Sequence, residues 1–291
     1  MRRSLQVASF EAGVALSGAL SGRGAVGIVL SGLAELRAGE RPVVRLGAGE
    51  LIGGGALFGD RRRIGELTAL TPCRVGVLDV SALDALRRLR PGALDSLEAA
   101  AVRGLGSLLT QSAWRVDGQL ASGSWWQPHM VELRAPTAPG GHARAEGTLA
   151  AALKRLGGDR ELDAWFEPRE VPQGALLGWA LQSRAEEGGA WLVAEGALRT
   201  LRAADHDPNE VHGPGTLVGL TELAGARLPG VMVVSARPSL LLYLSRARWT
   251  TVASSSLPAA RRLRKAIHAA TFGEQQRVMR RLRSAEVPAP R

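Results

Sequence analysis

Short apolar runs separated by glycine-containing turns dominate the first third of the chain. Gly27–Leu78 reads GIVLSGLAELRAGERPVVRLGAGELIGGGALFGDRRRIGELTALTPCRVGVL, and its apolar runs recur at intervals of roughly 8–12 residues. This spacing predicts a β-sandwich or small barrel rather than alternating strands and helices. Two short strands are expected in Leu5–Leu16, around a turn at Glu11–Gly13. The other expected strands are Val26–Leu30, Leu33–Leu36, Val43–Leu46, Leu51–Ile52, Leu67–Leu70 and Arg74–Leu78.

The apolar period changes to that of a helix after residue 80. Ser81–Leu89 and Gly92–Thr110 carry apolar residues at helical spacing, with Ser81 as the expected N-cap and Pro91 at the start of the second helix. The second helix has an apolar face, which we interpret as a homodimer seam; pairing of two copies within one chain is the alternative. The residues of this face are Leu94, Leu97, Leu105 and Leu108.

Much of the same layout returns about 165 residues later, in Ala190–Leu244. The matching landmarks lie 161 to 167 residues apart, and such steady spacing predicts an internal duplication. The pairs are Gly13 and Gly174, Gly32 and Gly196, Gly47-Ala48-Gly49 and Gly213-Pro214-Gly215, Gly53 and Gly219, Ala69 and Ala236, and Pro91 and Pro258. Arg246–Ala253 and Pro258–Ala270 repeat the helix pair, and a short basic helix, Glu274–Arg283, is expected after an interruption at Gly273.

The duplication divides the chain into two barrel domains, residues 1–115 and 148–272. A Gly- and Pro-rich linker, residues 116–147, joins them, and a basic helix and tail, residues 273–291, follow. A further helix pair, Thr148–Leu156 and Glu161–Phe166, opens the second domain. Trp125 and Trp126 are too apolar for a flexible tether, so we expect them to pack on a domain or to form a short strand, with partner contact as the alternative.

Composition and charge restrict the classes of partner. The single cysteine, Cys73, excludes a disulfide within the chain, and no apolar stretch approaches the roughly 18 residues of a membrane span. We therefore expect a cytoplasmic protein. The net charge of +10 is concentrated after Leu257. We interpret this tail as an exposed basic face, with an acidic protein surface or a nucleic acid as the alternatives. The candidate contacts are Arg261, Arg264, Arg280 and Arg281.

Four phrases of the first copy resemble the cyclic nucleotide-binding domain of bacterial catabolite activators and of protein kinase A regulatory subunits. They are FEAGVAL, IVLSGLAEL, LGAGELIGGGALF and TALTPCRVGVL, followed by the helix pair. The resemblance covers most of residues 5–112 and, more loosely, 149–272. It implies a mainly β fold with flanking helices (α+β): two eight-stranded jelly-roll barrels, each followed by a helix pair.

In this family a phosphate-binding cassette lies between two barrel strands. A Gly-Glu pair begins a short helix whose N-terminus faces the cyclic phosphate. An arginine a few residues later pairs with that phosphate, and the glutamate accepts a hydrogen bond from the ribose 2′-hydroxyl. In the first copy the resemblance places Gly53 at the glycine, Gly54 at the glutamate and Arg63 at the arginine. Leu57 and Phe58 match the apolar pair of the cassette.

The second cassette departs further from the family pattern. Gly219 takes the place of the glycine, Leu220 that of the glutamate, and Arg227 is displaced by three from the arginine position. A leucine accepts no hydrogen bond, so a bound nucleotide would leave its ribose hydroxyl unpaired. The loss amounts to about 1.5–3 kcal/mol, roughly ten- to a hundredfold in affinity.

We therefore interpret the chain as a non-enzymatic regulatory or scaffold protein that acts through a protein partner and has largely lost nucleotide binding. The first alternative is a sensor that binds a cyclic nucleotide or dinucleotide in the first barrel through Arg63; nucleic-acid contact through the basic C-terminus is the least favoured. The residues suggest no catalytic group, cofactor or metal, because no histidine has metal-ligand spacing to a second histidine or a cysteine.

Overall fold

The computed structural model describes residues 5–16, 25–39, 41–60, 62, 65–113, 148, 151–154, 160–179, 188–202, 210–224 and 231–284. The chain forms two compact units, one made of Met1–Ser112 with Thr271–Arg291 and the other of Ala113–Ala270. Four residues with predicted roles lie outside the described part of the chain: Arg63, Trp125, Trp126 and Arg227.

The first unit contains a barrel of antiparallel strands. A four-stranded sheet has the order β1-β7-β2-β5, and a three-stranded sheet has the order β4-β3-β6. The strands are β1 Gln6–Phe10, β2 Val26–Ser31, β3 Ala34–Ala38, β4 Arg41–Leu46, β5 Leu51–Ile52, β6 Glu66–Ala69 and β7 Cys73–Leu78. Each apolar run predicted between Val26 and Leu78 corresponds to one of them. Of the two strands predicted in Leu5–Leu16, only β1 forms, and Ala15 contributes an isolated bridge to Thr68.

The helices described in the first barrel include a 3₁₀ helix, Gly54–Phe58, and the α-helices α1 Val80–Leu89 and α2 Pro91–Ala113. The N-cap of α1 is Asp79, whose Oδ1 accepts a hydrogen bond from the amide of Ala82 at 2.8 Å. The prediction of Ser81 as the cap was wrong. Asp79 has the extended backbone of an N-cap and offers its carboxylate two residues earlier, so the helix begins before Ser81.

The apolar face of α2 is already buried within the chain. Leu94, Leu105 and Leu108 are 2%, 7% and 8% exposed, and Leu97 is half-buried. The face expected to form a homodimer seam is therefore not open to a second copy in this structure. Its hydrophobic burial already contributes to the fold of the single chain.

The second unit repeats the strand order of the first. Its sheets have the orders β13-β10-β15-β8 and β12-β11-β14-β9. The strands are β8 Glu167–Val171, β9 Leu176–Trp179, β10 Gly189–Glu195, β11 Leu198–Arg202, β12 Glu210–His212, β13 Leu217–Val218, β14 Val231–Ser235 and β15 Ser239–Ser245. The helices are a 3₁₀ helix Arg160–Trp165, α3 Leu220–Leu223 and α4 Arg246–Ser254; the last helix is α5 Pro258–Ser284. Residues 151–154 are also helical.

The backbone confirms the duplication at its turns. Gly13 and Gly174 have φ values of 84° and 81°, and Gly49 and Gly215 have 90° and 89°. Such left-handed conformations favour glycine, which has no Cβ to clash with the backbone. Matching turns therefore recur in both copies at the spacing read from the sequence.

The predicted pairing of Ala69 with Ala236 is displaced by one residue in the structure. The amide of Gly13 donates to the carbonyl of Ala69, and the amide of Gly174 donates to the carbonyl of Ser235, both at 2.8 Å. Ser235, not Ala236, is therefore the counterpart of Ala69. The prediction matched Ala236 because both residues are alanine, whereas the hydrogen bonds define the register.

The final helix, α5, is continuous through Gly273, so the predicted interruption was wrong. A glycine in a helix interior costs only about 0.5–1 kcal/mol relative to alanine. The buried residues Phe272 and Val278 on either side outweigh this cost. The helix is divided between the units at Ala270, so that Thr271–Ser284 belongs with the first barrel.

None of the described helices is long and apolar enough to cross a lipid bilayer.

Candidate functional site

The first cassette begins at a glycine in a left-handed conformation. Gly53 has φ 70° and ψ 24°, and it is the N-cap of the 3₁₀ helix Gly54–Phe58. A Cβ at Gly53 would lie 3.0 Å from the carbonyl oxygen of Ala25, so both conformation and space favour glycine. Leu57 and Phe58 are buried and anchor the helix in the barrel. The structure thus places these predicted cassette residues together on one short turn.

Gly54, which the resemblance assigns to the family's glutamate position, has no room for a side chain in this chain. A Cβ built on Gly54 would lie 2.7 Å from the Cβ of Ala101, a buried residue of α2. Any side chain at Gly54 would therefore have to displace α2 or the 3₁₀ helix. The absence of a carboxylate here is a packing requirement of the structure as well as a fact of the sequence.

Arg62 is held by groups of the chain itself. Its Nε and Nη2 donate to the two carboxylate oxygens of Asp60, at 3.0 and 2.8 Å. The Asp60 carboxylate raises the pKa of Arg62 above its ordinary value through the hydrogen bond and its negative charge. The guanidinium also lies over the ring of Phe272, 4.5 Å from the ring centroid. An anion binding at Arg62 would have to compete with this carboxylate.

The cassette segment continues into a second close contact. A Cβ at Gly65 would lie 2.6 Å from the carbonyl oxygen of Arg37 and 3.0 Å from Cε of Met279. Both Phe272 and Met279 belong to α5, within the same compact unit. Sequence reasoning missed this pairing, because the two segments are separated by more than 200 residues and share no local pattern.

The second cassette begins with the same left-handed turn, but a buried leucine follows the glycine. Gly219 has φ 86° and ψ 23° and is the N-cap of α3, and a Cβ there would lie 2.7 Å from the carbonyl oxygen of Gly189. Leu220, at the glutamate position, is 7% exposed. Its side chain therefore contributes to the core and offers a ligand no hydrogen bond.

In each barrel, one row of directly paired residues crosses the sheet next to the cassette; these sheets are β1-β7-β2-β5 and β13-β10-β15-β8. The row is Ile52, Gly27 and Val77 in the first barrel, and Val218, Trp191 and Tyr243 in the second. Trp191 thus replaces Gly27. It is 7% exposed, and its ring centroid lies 4.5 Å from that of Tyr243. Trp191 is therefore a core residue of the second barrel.

The aromatic pair is part of a larger filled interior. Trp191 belongs to a buried cluster with Val193, Leu198 and other core residues, and Tyr243 packs against it. The guanidinium of Arg169 lies 5.6 Å from the centroid of the Tyr243 ring. Sequence reasoning missed Tyr243; its alignment with Val77 in the duplication would have revealed the change.

The predicted basic contacts separate into buried and exposed residues. Arg264 is 0% exposed, and its Nη1 donates to the carbonyls of Val252 at 3.1 Å and Ser255 at 2.6 Å. It satisfies carbonyls at the C-terminal end of α4, so its predicted place on a contact surface was wrong. Arg280 is exposed, and the side chains of Arg261 and Arg281 are partly buried.

Among the described residues, no group of three or more His, Cys, Asp and Glu side chains could hold a metal ion. Cys73 is buried, and its Sγ lies 3.3 Å from the carbonyl oxygen of Leu33 and 3.2 Å from that of Thr71. It is therefore a packed residue of β7.

Residues 10–89 match the family model described as the cyclic nucleotide-binding domain. The first barrel has the cyclic-nucleotide-binding fold. The matched segment contains the whole first cassette, from Gly53 to Arg63. The second barrel, with the same strand order, repeats this fold. No curated protein matches the chain.

Solved structures with similarity to the chain include protein kinase A regulatory proteins. The regulatory subunit of a cAMP-independent kinase from Trypanosoma brucei is 14% identical, with 97% of this chain and 82% of that chain covered and a TM-score of 0.34. The guanosine-bound subunit from Trypanosoma cruzi is 18% identical, with 85% and 73% covered and a TM-score of 0.28. The cAMP-bound regulatory domain from Toxoplasma gondii is 18% identical, with 85% and 80% covered and a TM-score of 0.26. These scores support no conclusion about ligand or partner.

Proposed function

We propose that this chain is a non-enzymatic regulatory or scaffold protein whose two cyclic-nucleotide-binding-like barrels act through contacts with a protein partner. Nucleotide binding is largely lost in both barrels. The observation that carries this proposal is the contact at Gly54, where the Cβ of Ala101 occupies the space that a glutamate side chain would need. Without that carboxylate, a cyclic nucleotide would bury its ribose hydroxyl without its usual acceptor.

The second barrel supports the proposal through its packing. Leu220 is buried at the position of the family glutamate, and Trp191 and Tyr243 fill the interior beside Gly219. Aromatic side chains bury a large apolar area, so opening this region for a nucleotide would expose much of it to water. We infer that the second barrel is a structural and contact domain.

The alternative function is a ligand sensor that uses the first barrel. One observation favours it: the left-handed turn at Gly53 is retained ahead of a run of three arginines, Arg61–Arg63. Arg62 is engaged with Asp60, so the phosphate partner in this alternative is Arg63.

Calorimetric titration of the full chain with cyclic AMP, cyclic GMP and cyclic di-GMP distinguishes the two functions. The scaffold proposal predicts no binding at micromolar concentrations of any of the three, because the ribose acceptor is absent. Micromolar binding that is lost in Arg63→Ala would overturn it. The control is Arg88→Ala, which removes an equal charge from an exposed position of α1 and should leave any such binding unchanged.

A further inference from the structure

The last fourteen residues of α5, Thr271–Ser284, form a segment that we call the C-terminal clasp. The clasp belongs to the same compact unit as the first barrel. One stripe of its residues is buried: Phe272, Gln275, Val278, Met279 and Leu282, each no more than 5% exposed. Their spacing of three or four residues is that of a single helix face. The clasp is thus an integral part of the first unit.

A buried polar pair fixes the clasp at one register. Gln275 and Ser112 are both 0% exposed, and Oγ of Ser112 donates to Oε1 of Gln275 at 2.9 Å. Sliding the helix by a turn would leave the Gln275 amide buried without this bond, at a desolvation cost that apolar contacts alone do not impose; the Ser112 hydroxyl would keep the carbonyl of Leu108, 2.6 Å away, as an acceptor. The pair therefore selects one docked position on α2.

Docked in this register, the clasp contacts the cassette loop, which we define as the described residues 54–60, 62 and 65. The ring of Phe272 lies under the guanidinium of Arg62, 4.5 Å from its central carbon. Cε of Met279 lies 3.0 Å from the ideal Cβ position at Gly65. Asp60 also holds Arg62, through an ion pair of 2.8 Å. Along the sequence, the two contacts lie on either side of Arg63, the residue that the resemblance assigns to the cyclic phosphate.

We propose that the clasp orders the cassette loop in place of a ligand and holds the first barrel in one ligand-independent state. The inference deepens the proposed scaffold function, since a barrel ordered by its own chain needs no nucleotide to present a fixed surface. Cation–π stacking and van der Waals contact at the loop supply the ordering interactions that a bound phosphate would otherwise supply.

Amide hydrogen exchange of the full chain, followed by mass spectrometry of peptides, tests this inference. In Phe272→Ala, exchange in the cassette loop should accelerate about tenfold more than exchange in β2 and β7, where any acceleration reports only the general destabilisation caused by truncating a buried side chain. Arg62→Ala removes the same stacking contact from the loop side. Because Arg62 is largely exposed, this variant is expected to fold, and it should accelerate exchange in the same peptides. Arg283→Ala, which alters an exposed residue of the clasp, is the matched control.

The double variant Phe272→Ala with Arg62→Ala should accelerate loop exchange by less than the two single effects combined, because both changes remove the shared stacking contact and only Arg62→Ala also removes the ion pair with Asp60. Unchanged loop exchange in both single variants would overturn the inference, as would equal acceleration in the loop and in β2 and β7. Nucleotide titration of the unaltered chain is a separate measurement: binding there would contradict the proposed function, while the exchange pattern alone decides whether the clasp orders the loop.

Discussion

Gly54 packs directly against α2. A Cβ added to Gly54 would lie only 2.7 Å from the Cβ of Ala101. Even a methyl group therefore overpacks this contact. We expect Gly54→Ala to lower the free energy of unfolding by about 1–3 kcal/mol, measured by chemical denaturation followed by far-UV circular dichroism. The change adds no polar group, so its effect isolates the space available at the family's glutamate position.

The matched control is Gly104→Ala, on the helix that Gly54 contacts. A Cβ at Gly104 meets nothing within 4 Å, so alanine there should raise the free energy of unfolding by about 0.5–1 kcal/mol through helix propensity. Equal effects of the two substitutions would show that Ala101 does not restrict Gly54.

At the scale of single residues, the sequence predicted which residues share the first turn better than it predicted what those residues contact. Gly53, Gly54, Leu57 and Phe58, which the family resemblance assigned to one cassette, lie on one turn and short helix, and their role in binding stays a prediction. The contact of Gly54 with Ala101 was not predictable, because it joins residues 47 positions apart in the chain. The burial of Arg264 was missed for a similar reason. An arginine resembles a surface residue until the carbonyls of Val252 and Ser255 are known to converge on it.

At the scale of elements, the final helix shows where a local signal misleads. The sequence predicted an end near Ala270 because glycine is a weak helix former, yet α5 continues to Ser284. The barrel strands were predicted more closely, since apolar runs bounded by glycine turns are local features. Helix continuity depends instead on the buried stripe of the clasp, which the sequence alone does not connect to the first barrel.

Gly273→Ala should stabilise α5. A Cβ at this position meets nothing within 4 Å, and the backbone is helical, so alanine removes unfolded-state entropy without strain. We expect the free energy of unfolding to rise by about 0.5–1 kcal/mol, measured by denaturant titration. In the control, Gly59→Ala, the new Cβ also has open space, but φ is 77°. Alanine should lower stability there by about 1–2 kcal/mol. Destabilisation by Gly273→Ala would contradict a continuous helix.

At the scale of the whole molecule, the two barrels share a fold and differ in the side chains that pack beside the cassette. The duplication was predictable from landmark spacing, and the matching strand orders and turns confirm it. The replacement of Gly27 by Trp191 and the assignment of the clasp to the first unit required the paired registers and contacts of the structure. The tryptophans among the described residues are Trp165, Trp179, Trp191 and Trp249; all four lie in the second unit, so their fluorescence reports on that unit.

This distribution makes the division of α5 testable with two substitutions of one type on one helix. Leu263 and Leu282 are 0% and 5% exposed, but Leu263 belongs to the second unit and Leu282 to the first. Each Leu→Ala change should cost about 2–5 kcal/mol through lost burial and the cavity left behind. In denaturant titrations, Leu263→Ala should lower the midpoint of the fluorescence transition. Leu282→Ala should leave that midpoint unchanged and introduce an earlier transition in far-UV circular dichroism. If Leu282→Ala shifted both signals together, the two units would unfold as one, and the clasp would not act on the first barrel alone.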